Sequence, residues 1–279
     1  MPLNISDYAQ YWGLDLLPEM ECRVHSCVAF GWQGSRPVVL KVISSQSNED
    51  VSALALAYFA GNGAVRCIDQ LEKAFLLERI MPGWTLTDRV KQGKDEQATL
   101  ILCEVAAKLH AQRVAEHGFF EVFPTVSQWG RSFEQVAENF NHPALAYPLV
   151  KQAYHLYRVL SETQGQKILL HGDLHHENVL FGHDRGWMAI DPKGVVGEAE
   201  YEMGAALRNP LDVTLCADTK IIQRRIELMA DTLHLNAQRI TQWCFSQAVL
   251  AAIWGVEDGA PACDIDRFVG VAKATLPLL

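Results

Sequence analysis

The feature that most constrains this chain is a change of hydrophobic period at Met81-Pro82-Gly83, where proline and glycine both interrupt regular structure. Ahead of that boundary the pattern is mostly strand. Residues 22–32 alternate with a rough period of two, Gln33-Gly34-Ser35-Arg36 has turn chemistry, and residues 37–43 are a β-branched run with Lys41 near the end. This predicts an antiparallel hairpin. Ser47-Asn48-Glu49-Asp50 then offers N-cap and first-turn groups to a helix carrying Val51, Leu54, Ala55 and Tyr58, which Gly61-Asn62-Gly63 stops. Residues 64–68 and 74–80 read as two more strands. Beyond the boundary the period becomes helical over 96–113, 126–139, 148–161, 220–233 and 239–256. A short β island at 167–170, 179–181 and 187–190 interrupts those helices. The expected fold is α+β, with a small strand-rich unit over 1–80, a hinge at about 78–83 and a larger helical unit over 81–279.

Charge and cysteine usage exclude some functions. With 33 acidic and 24 basic residues among 279, the chain carries a formal charge of −9, which repels a phosphate backbone and tilts toward cationic ligands. Nucleic acid is therefore not expected as a partner. The longest apolar runs, 53–61 and 248–256, are far shorter than the roughly 18 residues of a membrane span, and the first residues lack a secretory pattern. No membrane association and a cytoplasmic location are expected. Seven cysteines at 22, 27, 67, 103, 216, 244 and 263 form no C-x-x-C, so they read as buried thiols in a reducing compartment, without a zinc site or disulfide framework.

The β island holds the chemistry. In His171-Gly172-Asp173-Leu174-His175-His176-Glu177-Asn178 a carboxylate and a carboxamide lie five residues apart, and Asp191 follows at the end of the return strand. Such a set suits phosphoryl transfer. Asp173 accepts a hydroxyl proton, while Asn178 and Asp191 offer oxygen ligands to Mg2+ on the phosphates of ATP. The protein-kinase pattern H-R-D-x-x-x-x-N followed by Asp supplies the same groups at similar spacing. A transition-metal site is disfavoured, because the adjacent His175 and His176 diverge. His171 reads as a structural orienter bonded to backbone near Asp191, and His175, His176 and Glu177 as solvated. Lys41 is placed to reach the α- and β-phosphates, with Glu49 or Asp50 as its partner acid. The Glu78 C=O and Ile80 N–H are the adenine candidates at the hinge. There is no G-x-G-x-x-G between Glu21 and Trp32, so the Ser26 hydroxyl and nearby backbone N–H groups would cover the phosphates.

These residues resemble the aminoglycoside/hydroxyurea antibiotic-resistance kinases, with the streptomycin 6-phosphotransferases nearest in pattern. The likeness lies in His171–Leu180, in Gly186–Glu198 with its Ile190-Asp191-Pro192-Lys193-Gly194, in Gly61–Arg66, Leu76–Arg79 and Val38–Lys41, and in Trp254 with Glu257-Asp258-Gly259. The resemblance implies a protein-kinase-like two-lobed fold, ATP and Mg2+ in the cleft, and a small-molecule hydroxyl as acceptor. It makes Asp173 the catalytic base, Asn178 and Asp191 the metal ligands, and Lys41 the phosphate lysine. Two departures stand out. Ser52-Ala53-Leu54 occupies the place of an acid within the helix after the lysine, and Pro192-Lys193 follows Asp191 with no activation segment, which argues against a protein substrate. A cationic acceptor calls for carboxylates, and Glu257, Asp258, Glu202, Glu200 and Asp212 are the candidates, the first two foremost. The alternatives are a kinase of hydroxyurea, a sugar or an amino alcohol, and a non-catalytic ATP-binding module on the same fold.

Overall fold

The computed structural model describes residues 4–22, 26–43, 50–112, 118–137, 143, 145–210 and 213–279. Asn4 opens helix α1 (Ile5–Trp12) with a capping box: its side chain accepts from Ser6 and Asp7 N–H while Asp7 accepts from Asn4 N–H. This helix was not anticipated by the strand pattern around it. Strands β1 (Asp15–Cys22), β2 (Ser26–Gln33) and β3 (Arg36–Ile43) follow, then α2 (Asp50–Phe59), β4 (Cys67–Leu71) and β5 (Ala74–Glu78). They form one antiparallel sheet in the order β1-β2-β3-β5-β4. One face of it packs Val38, Leu40, Ala74 and Leu76 against Tyr8, Ala9 and Trp12 of α1.

Three details differ from the sequence reading. The expected strand over 22–32 is split: Cys22 ends β1 and Ser26 opens β2. Pro18 lies in β1, which is an edge strand and tolerates it beside an irregular register between Leu16 and Met20. The register of β1 on β2 brings Cys22 and Cys27 directly opposite each other, and they form a disulfide with an S–S distance of 2.06 Å. That corrects the reading of all seven cysteines as buried thiols, although Cys103, Cys216 and Cys244 are indeed buried. Finally, β4 begins three residues later than expected. Ala64 and Val65 instead run beside Ala189 in a parallel bridge, because both are buried there against the larger lobe.

The larger lobe starts at β6 (Pro82–Thr85), followed by α3 (Leu86–Lys91), α4 (Asp95–His110), α5 (Val126–Trp129), α6 (Arg131–Ala137) and α7 (Tyr147–Glu162). Then come β7 (Ile168–Leu170), β8 (Val179–Gly182), β9 (Gly186–Ala189) and β10 (Val195–Gly197). Helices α8 (Ala199–Leu207), α9 (Val213–Cys216), α10 (Thr219–Leu233), α11 (Ala237–Glu257) and α12 (Ala262–Thr275) complete it. β6, β8 and β9 form one small sheet, and β7 pairs with β10. The apolar helix α11 runs through the core, with Trp243 and Phe245 fully enclosed. Two buried ion pairs tie helices together. Asp95 at the start of α4 takes Arg225 of α10 at 2.5 Å, and Glu198 takes Arg239 of α11 at 2.6 Å and the Trp243 indole N–H at 2.6 Å. Buried charges need such pairing to be tolerated. Among the described residues no helix is long and apolar enough to cross a membrane.

Candidate active site

The segment from His171 to Asn178 joins β7 to β8, and Asp191 follows β9, so a two-strand hairpin returns the second carboxylate to the first. Backbone and ring bonds lace the two loops together. His171 is fully buried; its Nδ1 accepts from Asp173 N–H at 3.3 Å and its Nε2 lies 2.9 Å from Ile190 O, which fixes Nε2 as the protonated nitrogen. Burial holds its pKa down, so the ring is neutral. Ile190 N–H donates to Asn178 O at 2.9 Å, and Lys193 N–H and Gly194 N–H both donate to His171 O, at 2.8 and 3.1 Å. Gly172 has φ +83, and a Cβ there would come within 2.9 Å of the Trp129 ring, so only glycine fits.

Within this frame Asn178 Nδ2 donates to the Asp173 main-chain oxygen at 2.9 Å, and Asn178 Oδ1 accepts nothing among the described residues. Asp191 sits at φ +57, an uncommon conformation for a residue with a Cβ and one met at functional sites. Its Oδ1 takes Lys41 Nζ at 2.5 Å, a contact that joins β3 of the small lobe to the β9 end of the large one. Burial alone would raise the Asp191 carboxyl, but Lys41 first and Lys193 next outweigh it and hold its pKa down. Burial likewise opposes ionisation of Asp173, and the His175 ring, with Arg208 and Lys193, holds its carboxyl well below the usual carboxylate range. Asn178 Oδ1 and the second Asp191 oxygen are hard oxygen donors, a set that fits Mg2+ better than zinc. Among the described residues no group of three or more His, Cys, Asp or Glu side chains is placed to hold a metal ion.

Other predicted residues fall variously. Ser26 lies opposite Ile43, two positions from the Val28–Lys41 pair, and so shares the cleft face of the sheet with Lys41; the disulfide lies on the other face. Ile80 is buried, and its N–H donates to nothing among the described residues. The Glu78 carboxylate is engaged, accepting from Arg66 N–H at 2.9 Å and from the Arg185 guanidinium. Glu49 lies outside the described residues, as does the Asp50 side chain. Asp212 is also outside them.

Glu202 is a correction. Its side chain is fully enclosed in α8, with one oxygen 2.7 Å from His171 N and the other 2.9 Å from Gly172 N. It grips the loop that carries Asp173 and has no surface to offer an acceptor. Glu257 and Asp258 are exposed at the end of α11. Glu257 accepts from Ser132 Oγ at 3.3 Å, Ser132 Oγ accepts from the Trp254 indole N–H at 3.1 Å, and Trp254 meets Trp129 edge-on at 6.0 Å. A chain of contacts therefore runs from Gly172 through Trp129 and Trp254 to Glu257.

His175 and His176 are not solvated as expected. The His175 side chain is mostly buried; its Nδ1 accepts from Glu177 N–H at 3.3 Å and its Nε2 lies 3.7 Å from Asp173 Oδ2. Only the H-x-D-x-H spacing hinted at it. His176 is fully buried, and among the described residues neither ring nitrogen has a partner. Burial first, then Arg225, presses its pKa down to about 3. Above about pH 6.5 this imidazole is neutral folded or unfolded. As pH falls from 6.5 toward 3, the unfolded chain takes up a proton that the folded one refuses, so stability drops by up to about 1.4 kcal/mol per pH unit. His176→Leu is expected to lose less stability than the parent between pH 7.5 and 5 in urea titrations. Equal losses would show that the ring charges in the folded state.

Residues 26–259 match the family described as aminoglycoside/hydroxyurea antibiotic resistance kinase. The chain is 32% identical over 232 residues to a streptomycin 3''-kinase of Klebsiella pneumoniae, across 81% of this chain and 83% of the relative. It is 26% identical over 239 residues to a streptomycin 6-kinase of Streptomyces griseus, across 84% and 76%. Its fold matches that of a thermostable mutant of aminoglycoside phosphotransferase APH(4)-Ia, solved as a ternary complex with ADP and hygromycin B. The TM-score is 0.68 at 16% identity, over 98% of this chain and 97% of the other.

Proposed function

Since this chain belongs to the aminoglycoside/hydroxyurea antibiotic resistance kinase family, and is thus a phosphotransferase acting on a hydroxyl group of a small molecule, we propose that it moves the γ-phosphoryl group of ATP to a cationic acceptor, foremost a streptomycin-like aminoglycoside. The observation that carries the reading is the Lys41–Asp191 pair at 2.5 Å, spanning both lobes beside Asp173 and Asn178. On this reading the lobes are 1–80 and 81–279, hinged at 78–83, and the enzyme works in the cytoplasm, where ATP is abundant.

The roles follow from the chemistry of each group. Asp173, ionised at neutral pH, takes the proton of the acceptor hydroxyl as its oxygen attacks phosphorus. Lys41 supplies positive charge to the α- and β-phosphates. Asn178 and Asp191 would hold Mg2+, which when bound neutralises phosphate charge and orients the phosphoryl group. The Ile80 N–H and the Glu78 carbonyl would meet the adenine edge, and Ser26 would lie over the phosphates. Exposed and tied by Ser132 to the wall beside Gly172, Glu257 is our first choice to pair with an acceptor ammonium or guanidinium, with Asp258 next to it.

ADP release measured with streptomycin, hydroxyurea, amino alcohols and neutral sugars tests the reading. Streptomycin-class acceptors are expected to give the largest kcat/KM, and release with none of them would defeat it. The relatives named above act at different streptomycin positions, so the product's position needs its own NMR assignment. Glu257→Gln is expected to raise the KM of a cationic acceptor about tenfold while kcat holds. An unchanged KM would move the acceptor site elsewhere.

A further inference from the structure

Between α2 and β4 a turn of the small lobe is fastened to the large one. Gly63 O accepts from Ala189 N–H at 2.7 Å and Val65 N–H donates to Ala189 O at 2.9 Å. Asn62 Nδ2 donates to Lys108 O at the end of α4, at 2.9 Å. Over this turn lies the Arg185 guanidinium, reaching up from the β8–β9 connection. Its Nη2 donates to Gly61 O and, at 3.3 Å, to Ala64 O, and its Nη1 donates to the Glu78 carboxylate. Gly61 has φ +81, and a Cβ there would come within 2.8 Å of Arg66 Nε and 3.0 Å of Arg185 Nη2. Glycine at 61 therefore permits the guanidinium to lie flat on the turn.

The contacts of Arg185 fall between the two ends of the cleft. Glu78 precedes Ile80 by two residues, and Ala189 precedes Asp191 by two. We propose that Arg185 is a positioning residue that fixes the adenine end of the nucleotide site against its phosphate end. It touches neither nucleotide nor acceptor. It sets the distance between the strand that receives the base and the strand that ends at Asp191. The inference rests on reading Ile80 and Glu78 as the adenine-binding backbone. The planar fork matters, since an ammonium donates from a single nitrogen whereas the guanidinium spreads its donors over two, one turned to Glu78 and the other to Gly61 and Ala64.

The test uses the full-length chain and steady-state kinetics with ATP and acceptor varied separately. Arg185→Ala is expected to raise the KM for ATP about tenfold or more, with the acceptor KM within about twofold of the parent. Added guanidinium, below concentrations that unfold the parent, is expected to recover part of the ATP KM. A cavity of about 260 Å3 lined by Gly61, Gly63, Lys108 and Trp187 adjoins Arg185 and gives that ion a path. Arg185→Lys is expected to stay defective. If Arg185→Ala does not fold, Glu78→Gln removes the charged partner and is expected to give the same KM split. Ile80→Pro, which deletes the N–H, separates the two ideas. An unchanged ATP KM in Ile80→Pro would overturn the adenine reading, and this proposal with it. A raised ATP KM in Ile80→Pro, with Arg185→Ala or Glu78→Gln folded and unchanged in ATP KM, would overturn the Arg185 proposal alone.

Discussion

Replacing Asp173 by asparagine is expected to lower kcat about a thousandfold while ATP binding persists. A positioned general base contributes roughly 10²–10⁴-fold, and the substitution removes the base without changing its shape. The loop should hold its geometry, because Asn178 is bonded to the main-chain oxygen of residue 173 and not to its carboxylate. Glu202 and His171 grip the same loop through backbone groups, so they too are indifferent to the change. The Lys41–Asp191 pair lies on other strands and remains to meet the phosphates. Rapid-quench turnover and an ATP-induced thermal shift, measured side by side, distinguish lost chemistry from lost binding. Turnover equal to the parent would remove Asp173 from the mechanism. The parent should also keep its base ionised well below neutrality, since His175, Arg208 and Lys193 outweigh the burial that opposes the charge. The stabilisation from that ionised carboxylate is present above the ordinary Asp range and is lost as pH falls through its depressed pKa. The kcat profile is therefore expected to be flat from pH 7 to 5 as far as residue 173 is concerned.

What was legible in the sequence is what local chemistry specifies. The Gly34-Ser35 turn, the boundary at Met81-Pro82-Gly83 and the hairpin between Asn178 and Asp191 are each built from neighbours in the chain, and the structure has strands and turns there. Lys41, Asp173, Asn178 and Asp191 were named from spacing and resemblance, and the fold draws them together across as many as 150 residues. The rest depends on partners that periodicity cannot see. Ala64 and Val65 have strand composition, yet they dock on Ala189 because the large lobe offers them a buried edge. Pro18 masks β1, since a proline weakens any strand assignment until the strand is known to be an edge. Cys22 and Cys27 become neighbours only once the β1–β2 register is set. The alternation across 22–32 runs together two strands that end at Cys22 and begin at Ser26. Glu198, Glu202 and Arg185 act on groups 30 or more residues away, and nothing in the composition around them separates such side chains from exposed ones. Acids near an apolar helix therefore all read as acceptor candidates, with Glu257 and Asp258 foremost. In the structure Glu257 and Asp258 lie at the surface and Glu202 lies inside.

Removing the Glu202 carboxylate is expected to cost heavily in stability. Both of its oxygens accept from consecutive backbone N–H groups, at 2.7 and 2.9 Å, in a site closed to water. A hydrogen bond to a charged group is worth about 1.5–3 kcal/mol, and an unsatisfied buried donor adds its own penalty, so Glu202→Ala should lose about 3–5 kcal/mol. That is a large share of the stability of an ordinary domain. Glu202→Gln is the sharper variant, because it keeps the volume but can face only one of the two N–H groups with an acceptor, turning an NH2 toward the other. Its cost should be smaller, and the folded protein remains available for kinetics. There the two possible roles part. A residue that binds the acceptor would raise the KM of a cationic acceptor and spare that of a neutral one. A residue that holds His171 and Gly172 in place should lower kcat at least tenfold for every acceptor, with the acceptor KM nearly constant, because Asp173 follows directly on the loop it steadies. Urea titration together with kinetics on one cationic and one neutral acceptor distinguishes them. A charge-selective KM effect at unchanged stability would return Glu202 to the acceptor site, despite its burial.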